Sequence, residues 1–391
     1  MKIKWGKVIP WAAVILGVFT AGCASSKQEA RKQAVARWQQ VRTGVTAQMA
    51  EQQLQKGQPE RARESLVEAL RGNPDDPQLH LLMARAQFEL GDLTAAQAEL
   101  ARARCLAPRL AEVDYWQGIL AQAAGAWEEA HAAYLVACAK APDSPEYLCA
   151  LLEARLALGR PQDVIAATSG RFRDFPTDAR LRLLTAAAHV QLDDLAKAQA
   201  AYEQAIALDP SSEEAKEGLA QVLYQSGKYE QAAAVLESLP PEPTPGRKDM
   251  RPLLAACHVA CGRYDRAERL YESCLANDPD QMPLRWKLYE VRLLSGHAAR
   301  VRHDLQALLD KRPGDAQGWE LLGHACTLDG DLSQARLAYT RAAQCGGLTE
   351  RLQPYVAAID RQSRDSDRAR PSADRDVQAR AVTRVEDDAA R

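Results

Sequence analysis

The chain is poor in aromatic side chains. Four phenylalanines and an aromatic share of 6% across 391 residues leave little of the flat apolar surface that a β-sheet core wants. It also lacks a surplus of either charge. A formal net charge of -2 excludes the basic footprint of a nucleic-acid-binding protein. None of the nine cysteines forms a C-x-x-C pair, which removes zinc-knuckle and thioredoxin-like chemistry. No glycine loop is built to cradle phosphate, and no serine sits in a glycine elbow. The seven histidines are scattered along the chain. An enzyme is therefore not expected, nor a cofactor, a metal site or a small-molecule substrate. The apolar stretch Val8 to Ala21 is shorter than the ~20 residues that span a bilayer as a helix.

Alanine, leucine, glutamine, glutamate and arginine dominate instead, and these are helix formers. They recur with a period. Prolines stand at Pro74, Pro108, Pro142, Pro176 and Pro210, and after one extra residue at Pro245, Pro279 and Pro313. A glycine column runs through Gly57, Gly91, Gly125, Gly159, Gly227, Gly262, Gly296 and Gly330, broken only by Asp193. Five residues after it comes a small side chain: Ala62, Ala96, Ala130, Val164, Ala198, Ala232, Ala267, Val301 and Ala335. Four later a bulky one follows in most repeats, as in Leu66, Tyr134, Tyr202, Tyr271 and Tyr339. Each column has a physical role. Glycine ends a first helix in a backbone conformation that a β-carbon resists. The small residue lets a second helix approach the first, and the bulky one fills the space beyond. Proline ends the second helix.

This pattern resembles the tetratricopeptide repeat family, whose unit is a helix-turn-helix of 34 residues. Nine units follow, at 43–76, 77–110, 111–144, 145–178, 179–212, 213–247, 248–281, 282–315 and 316–349. The expected fold is all-α, a right-handed superhelical solenoid. Residues 23–42 form a lipidated N-terminus and lead-in helix, 43–247 the first six repeats, 248–349 the last three, and 350–361 a capping helix. The proline-rich run Leu239 to Arg247 marks a joint, either a hinge or a stiff connector. Residues 362–391 alternate arginine and aspartate and should stay disordered.

The N-terminus carries a second resemblance. Lys2, Lys4 and Lys7 precede the apolar stretch, as in an export signal over 1–22. Thr20-Ala21-Gly22-Cys23 resembles the lipobox of bacterial lipoproteins, with threonine where leucine is usual. The resemblance implies cleavage before Cys23 and acylation of that residue. Ala24, in place of an aspartate, implies outer-membrane sorting, with the chain facing the periplasm. Plain secretion and an uncleaved anchor are the alternatives. Among the other cysteines, Cys257 and Cys261 share a helix face with His258 beside them. A metal or redox site there competes with ordinary burial, and burial is the expected role.

In the tetratricopeptide repeat family the first helix of each unit lines a concave groove through its second, fifth, ninth and twelfth positions. The matching slots here include Leu81, Arg85, Phe88, Tyr115, Ile119, Glu153, Leu183, Val190, Tyr224, Trp286, Glu290 and Leu293. Their mixture of apolar, aromatic and charged side chains suits a helix or extended peptide from a protein partner. Several could equally pack between helices. The family's carboxylate clamp is not expected, since its slots hold Ala47, Leu81, Tyr115 and Cys149. The resulting expectation is a lipid-anchored scaffold for envelope proteins in pilus, secretion or exopolysaccharide assembly. A glycan-guiding protein, stacking sugars on Trp116, Trp127, Trp286, Trp319 or Tyr115, is the first alternative. A regulator of lipopolysaccharide synthesis, similar to the lipopolysaccharide assembly protein B family, is the second. That family's C-terminal cysteine pairs are missing here.

Overall fold

A computed structural model describes residues 31, 34, 35, 38, 41–240, 248–347 and 352–361. Cys23, most of the proline-rich run and the charged tail lie outside the described residues. The chain divides into two compact units, Met1–Asp194 and Leu195–Arg391. Among the described residues every regular element is a helix.

The first unit begins with α1, described over 41–55, and continues with α2 (Pro59–Gly72), α3 (Pro77–Glu89), α4 (Leu93–Leu106), α5 (Ala111–Ala123), α6 (Trp127–Lys140), α7 (Pro145–Ala157), α8 (Pro161–Arg171) and α9 (Ala179–Gln191). The second holds α10 (Leu195–Leu208), α11 (Glu213–Gln225), α12 (Tyr229–Glu237), α13 (Arg251–Ala260), α14 (Tyr264–Asn277), α15 (Met282–Leu294), α16 (Ala298–Lys311), α17 (Ala316–Leu328), α18 (Leu332–Gln344) and α19, over 352–361. Within each unit neighbouring helices pack as antiparallel hairpins, and first helices of successive repeats also touch, as α3 does α5 and α15 does α17.

Local chemistry sets the helix ends. Asp76, Ser144, Asp178, Ser212 and Asp315 cap first helices by accepting hydrogen bonds from exposed backbone N–H groups. Proline occupies the first turn of α3, α7 and α15, where its missing N–H costs nothing. All eight glycines of the turn column take positive φ, between 66° and 84°. Asp193, in the column's one exception, does so too at 57°. Aspartate tolerates this conformation better than most residues with a β-carbon, so the hairpin turn survives the replacement.

Packing follows the columns. Every member of the small-residue column is fully buried, from Ala62 to Ala335. The bulky column is buried as well, with Tyr134, Tyr202, Tyr271 and Tyr339 at its aromatic positions. Three tyrosines reach across to a glycine on a first helix. A β-carbon on Gly323 would stand 2.6 Å from Cε1 of Tyr339, and Gly118 against Tyr134 and Gly218 against Tyr202 leave less room still. In the last repeat the Tyr339 hydroxyl also bonds Nδ1 of His324 at 2.9 Å. The ring stacks at 5.5 Å on Tyr355 of α19, whose Leu352 and Ile359 join the same core cluster.

Gly323→Ala sets two effects against each other. Alanine favours a helix over glycine by ~1 kcal/mol. Overpacking costs ~1–3 kcal/mol, and the Tyr339 ring is held on several sides. The clash should win, so amides of α17 and α18 should exchange with solvent several-fold faster in the variant, and Tyr339→Leu should restore slow exchange. Slower exchange in Gly323→Ala alone would show that the ring yields freely.

Candidate functional site

In the first unit the first helices α3, α5 and α7 bring together an aromatic cluster bordered by charge. The rotation of α5 is set by Asp114, whose side chain is 5% exposed. Its carboxylate accepts from Arg104 of α4 at 2.7 Å and from Lys140 of α6. Arg104 and Lys140 reach solvent while the carboxylate is buried, so losing both would leave that charge uncompensated in the interior. This clamp ties α5 to its neighbours on both sides and so places the two residues that follow it, Tyr115 and Trp116.

Tyr115 meets Tyr147 of α7 at 4.8 Å between ring centroids, Tyr134 of α6 at 5.8 Å and Trp116 at 6.2 Å. Trp116 receives the edge of Phe88 at 6.0 Å and the guanidinium of Arg85 at 5.1 Å. Each aromatic pair adds ~0.5–1.5 kcal/mol beyond area burial, so the cluster is held in place before any partner arrives. Phe88, Tyr115, Trp116 and Tyr147 are all half-buried.

Acids surround this patch. Glu112 lies near Arg85, Glu51 and Glu146, while Glu51 and Glu153 stand opposite Arg85 and Arg180. Arg85 approaches Glu51 at 4.0 Å, and Arg180 pairs with Glu153 at 3.0 Å. Burial raises the Glu112 carboxyl above the usual range, and the charges of Glu51 and Glu146 add to the rise while Arg85 opposes it. Burial also raises the Tyr115 hydroxyl, with the Glu146 carboxylate beside it contributing. The Nε of Arg85 is buried without an acceptor among the described residues.

The twelve positions that the sequence picks out separate clearly in space. Arg85, Phe88, Tyr115 and Glu153 belong to the patch or its border. Ile119 is half-buried and packs towards Tyr134, Ala150 and Leu151. Leu183 and Val190 are half-buried on α9. Leu81 is a correction: it is fully enclosed among Ala84, Ala96, Leu100 and Val113, so it closes the repeat and offers no surface to a partner. Trp286 is a second correction. It is 4% exposed, and its ring lies where a β-carbon on Gly318 would come within 3.2 Å, so it fills the gap between α15 and α17. In the second unit Tyr224 meets Tyr229 at 5.3 Å, Glu290 pairs with Lys287 at 2.8 Å, and Leu293 packs against the terminal core cluster.

The patch also contains Tyr147, Glu112 and Glu146, which sequence reasoning left out. Glu112 and Glu146 occupy the second position of their first helices, so the slot rule that picked Tyr115 could have found them. Tyr147 occupies the third position and had no such signal. Of the tryptophans considered for sugar stacking, Trp116 packs as above, Trp127 packs against the cluster of Ala130 and Tyr134, Trp286 is in the core, and the Nε1 of Trp319 donates to the Pro313 carbonyl at 2.8 Å.

Tetratricopeptide repeat family profiles match residues 53–123, 189–257, 253–283 and 291–348. The chain is a tetratricopeptide repeat protein. The tetratricopeptide repeat is a scaffold for protein–protein contacts, and that is the class of this chain. No curated protein sequence matches it. Solved structures similar to it include the P58(IPK) TPR domain, at 16% identity and TM-score 0.27, covering 83% of this chain and 99% of that one. PilF of Pseudomonas aeruginosa is 18% identical, with TM-score 0.41 and coverage of 63% and 96%. YrrB, described as a TPR protein with an unusual peptide-binding site, is 15% identical, with TM-score 0.38 and coverage of 57% and 96%. At such identities and TM-scores nothing of these proteins' activities transfers to this chain.

The cysteines can be tested directly. Burial pushes the Cys149 thiol up to about 12, and burial with the neighbouring Cys261 pushes Cys257 up to about 11. A raised thiol pKa keeps the unreactive thiol form through neutral pH. Cys105 is exposed. Maleimide at pH 7 should therefore label Cys105 and spare Cys149 and Cys257 in the folded protein. Rapid labelling of Cys257 would reopen the redox reading of the Cys257–Cys261 pair.

Proposed function

We propose that this protein is a lipid-anchored, periplasm-facing scaffold that holds a protein partner on the first-helix face of its first unit, within an envelope assembly such as a pilus, secretion or polysaccharide export machine. The observation that carries the binding reading is the pre-packed, half-open cluster of Phe88, Tyr115, Trp116 and Tyr147. Rigid aromatic anchors of this kind dominate interface energetics because little entropy is lost when they bind. The acids around the cluster favour a segment with an apolar anchor flanked by lysine or arginine. The anchoring half of the reading is supported by the lipobox resemblance at Cys23 and by the lysines and apolar stretch ahead of it.

Two measurements test the two halves. The mass of the mature N-terminal peptide should show an acylated Cys23. An intact residue 22–23 bond or a free thiol would remove the anchor. For the binding face, Phe88→Ala combined with Tyr115→Ala should lower partner recovery from detergent-solubilised envelopes by at least about tenfold, since hot-spot truncations cost ~2 kcal/mol or more. Glu146 is exposed, so Glu146→Lys should lower recovery as well while leaving the melting curve unchanged. Wild-type recovery by both variants would contradict the binding face.

A further inference from the structure

Helix α1 carries an apolar stripe on its solvent side. Val35, Trp38, Val41, Val45 and Met49 are each 50 to 66% exposed. Their spacings of three and four residues are those of one helix face. The opposite face of the same helix supplies the core: Ala47, Ala50 and Leu54 pack with Ala62, Leu66 and Leu79. Exposed apolar side chains elsewhere, such as Leu192 or Leu294, are scattered and need no explanation. Val41, Val45 and Met49 are in register on α1, and Val35 and Trp38, helical residues ahead of it, continue the same spacing.

The sequence of this segment is basic. Between residues 24 and 50 stand Lys27, Arg31, Lys32, Arg37 and Arg42, against Glu29, with Glu51 the next acid beyond. The guanidinium of Arg42 lies 5.5 Å from the Trp38 ring and also pairs with Glu68. A recess of about 450 Å³ between α1 and α2 opens beside these residues. An apolar stripe that includes tryptophan, within a positively charged segment, matches the chemistry of a membrane interface with anionic headgroups.

We infer that α1 lies along an anionic phospholipid surface, with Trp38 and its neighbouring valines among the acyl chains and the basic residues at the headgroups. The inference rests on the reading that Cys23 is acylated. Cys23 precedes Val35 by twelve residues, a reach of ~40 Å even when fully extended. An acyl anchor there confines the stripe near the bilayer, so weak interfacial binding becomes effectively intramolecular. Charge decides against a second copy of this chain as the occupant: pairing two such stripes would bring two basic segments together.

The test uses the full chain, reconstituted into vesicles of phosphatidylglycerol or of phosphatidylcholine whose acyl chains are brominated. Subtracting the signal of a Trp38→Phe chain isolates the fluorescence of Trp38. Quenching of Trp38 is expected in the anionic vesicles and should be much weaker in the neutral ones. Val41→Glu with Val45→Glu should abolish it, with far-UV circular dichroism unchanged because both side chains are exposed. An unquenched Trp38 on a chain whose Cys23 is acylated would overturn the inference and leave the anchor standing. A quenched Trp38 on a chain without acylation would keep the inference and remove the anchor. Self-association without vesicles, lost in the same double variant and accompanied by an unquenched Trp38, would overturn it in favour of a second copy.

Discussion

The close approach of two helices, one small residue against one large one, is the constraint on which the rest of this structure depends. Each unit of the fold is a hairpin that cannot bury its own apolar surface alone. The hairpin closes because the small-residue column, from Ala62 to Ala335, lies flat against the first helix. At Tyr134, Tyr202 and Tyr339 a neighbouring first helix yields further by presenting glycine at 118, 218 and 323. A β-carbon at any of these points would push the helices apart. The displacement would pass to the next repeat, because interiors packed at this density transmit strain.

The same closeness builds the aromatic cluster of the first unit. Tyr134 seats against Gly118, and its hydroxyl donates to Gln122 at 2.7 Å, so the middle of α5 is held against α6. Asp114 fixes the start of α5 through Arg104 and Lys140. With both points held, Tyr115 and Trp116 come to rest against Phe88 and Tyr147 from neighbouring repeats. The aromatic cluster proposed as the binding face is thus a by-product of core packing, with rings already held in place by one another.

Much of the fold was legible in the sequence because its signals are local. A capping aspartate, a turn glycine and a terminal proline act within a few residues, and their period reads directly as a hairpin array. Asp193 shows how far this goes: it breaks the letter of the column but keeps its positive φ. The candidate site was less legible because depth is not local. Leu81, Tyr115 and Trp286 share one slot in their repeats, yet Leu81 and Trp286 are buried and Tyr115 is half-open. The difference arises from the neighbours, as with Gly318, which leaves room for the Trp286 ring. The stripe on α1 was hidden for a related reason. Apolar residues at helical spacing read as core, and only the packing of Ala47, Ala50 and Leu54 on the other side shows that Val41 and Val45 are left over.

The central claim is that protein partners occupy the first-helix face of the first unit. A photoreactive residue in place of Gln78, exposed on α3, with a matched probe at Gln97, exposed on α4, tests it most directly in living cells. The account predicts one dominant protein adduct at position 78, crosslinked through an apolar segment with a neighbouring lysine or arginine, and none at position 97. Protein capture at position 97 with none at position 78 would contradict it.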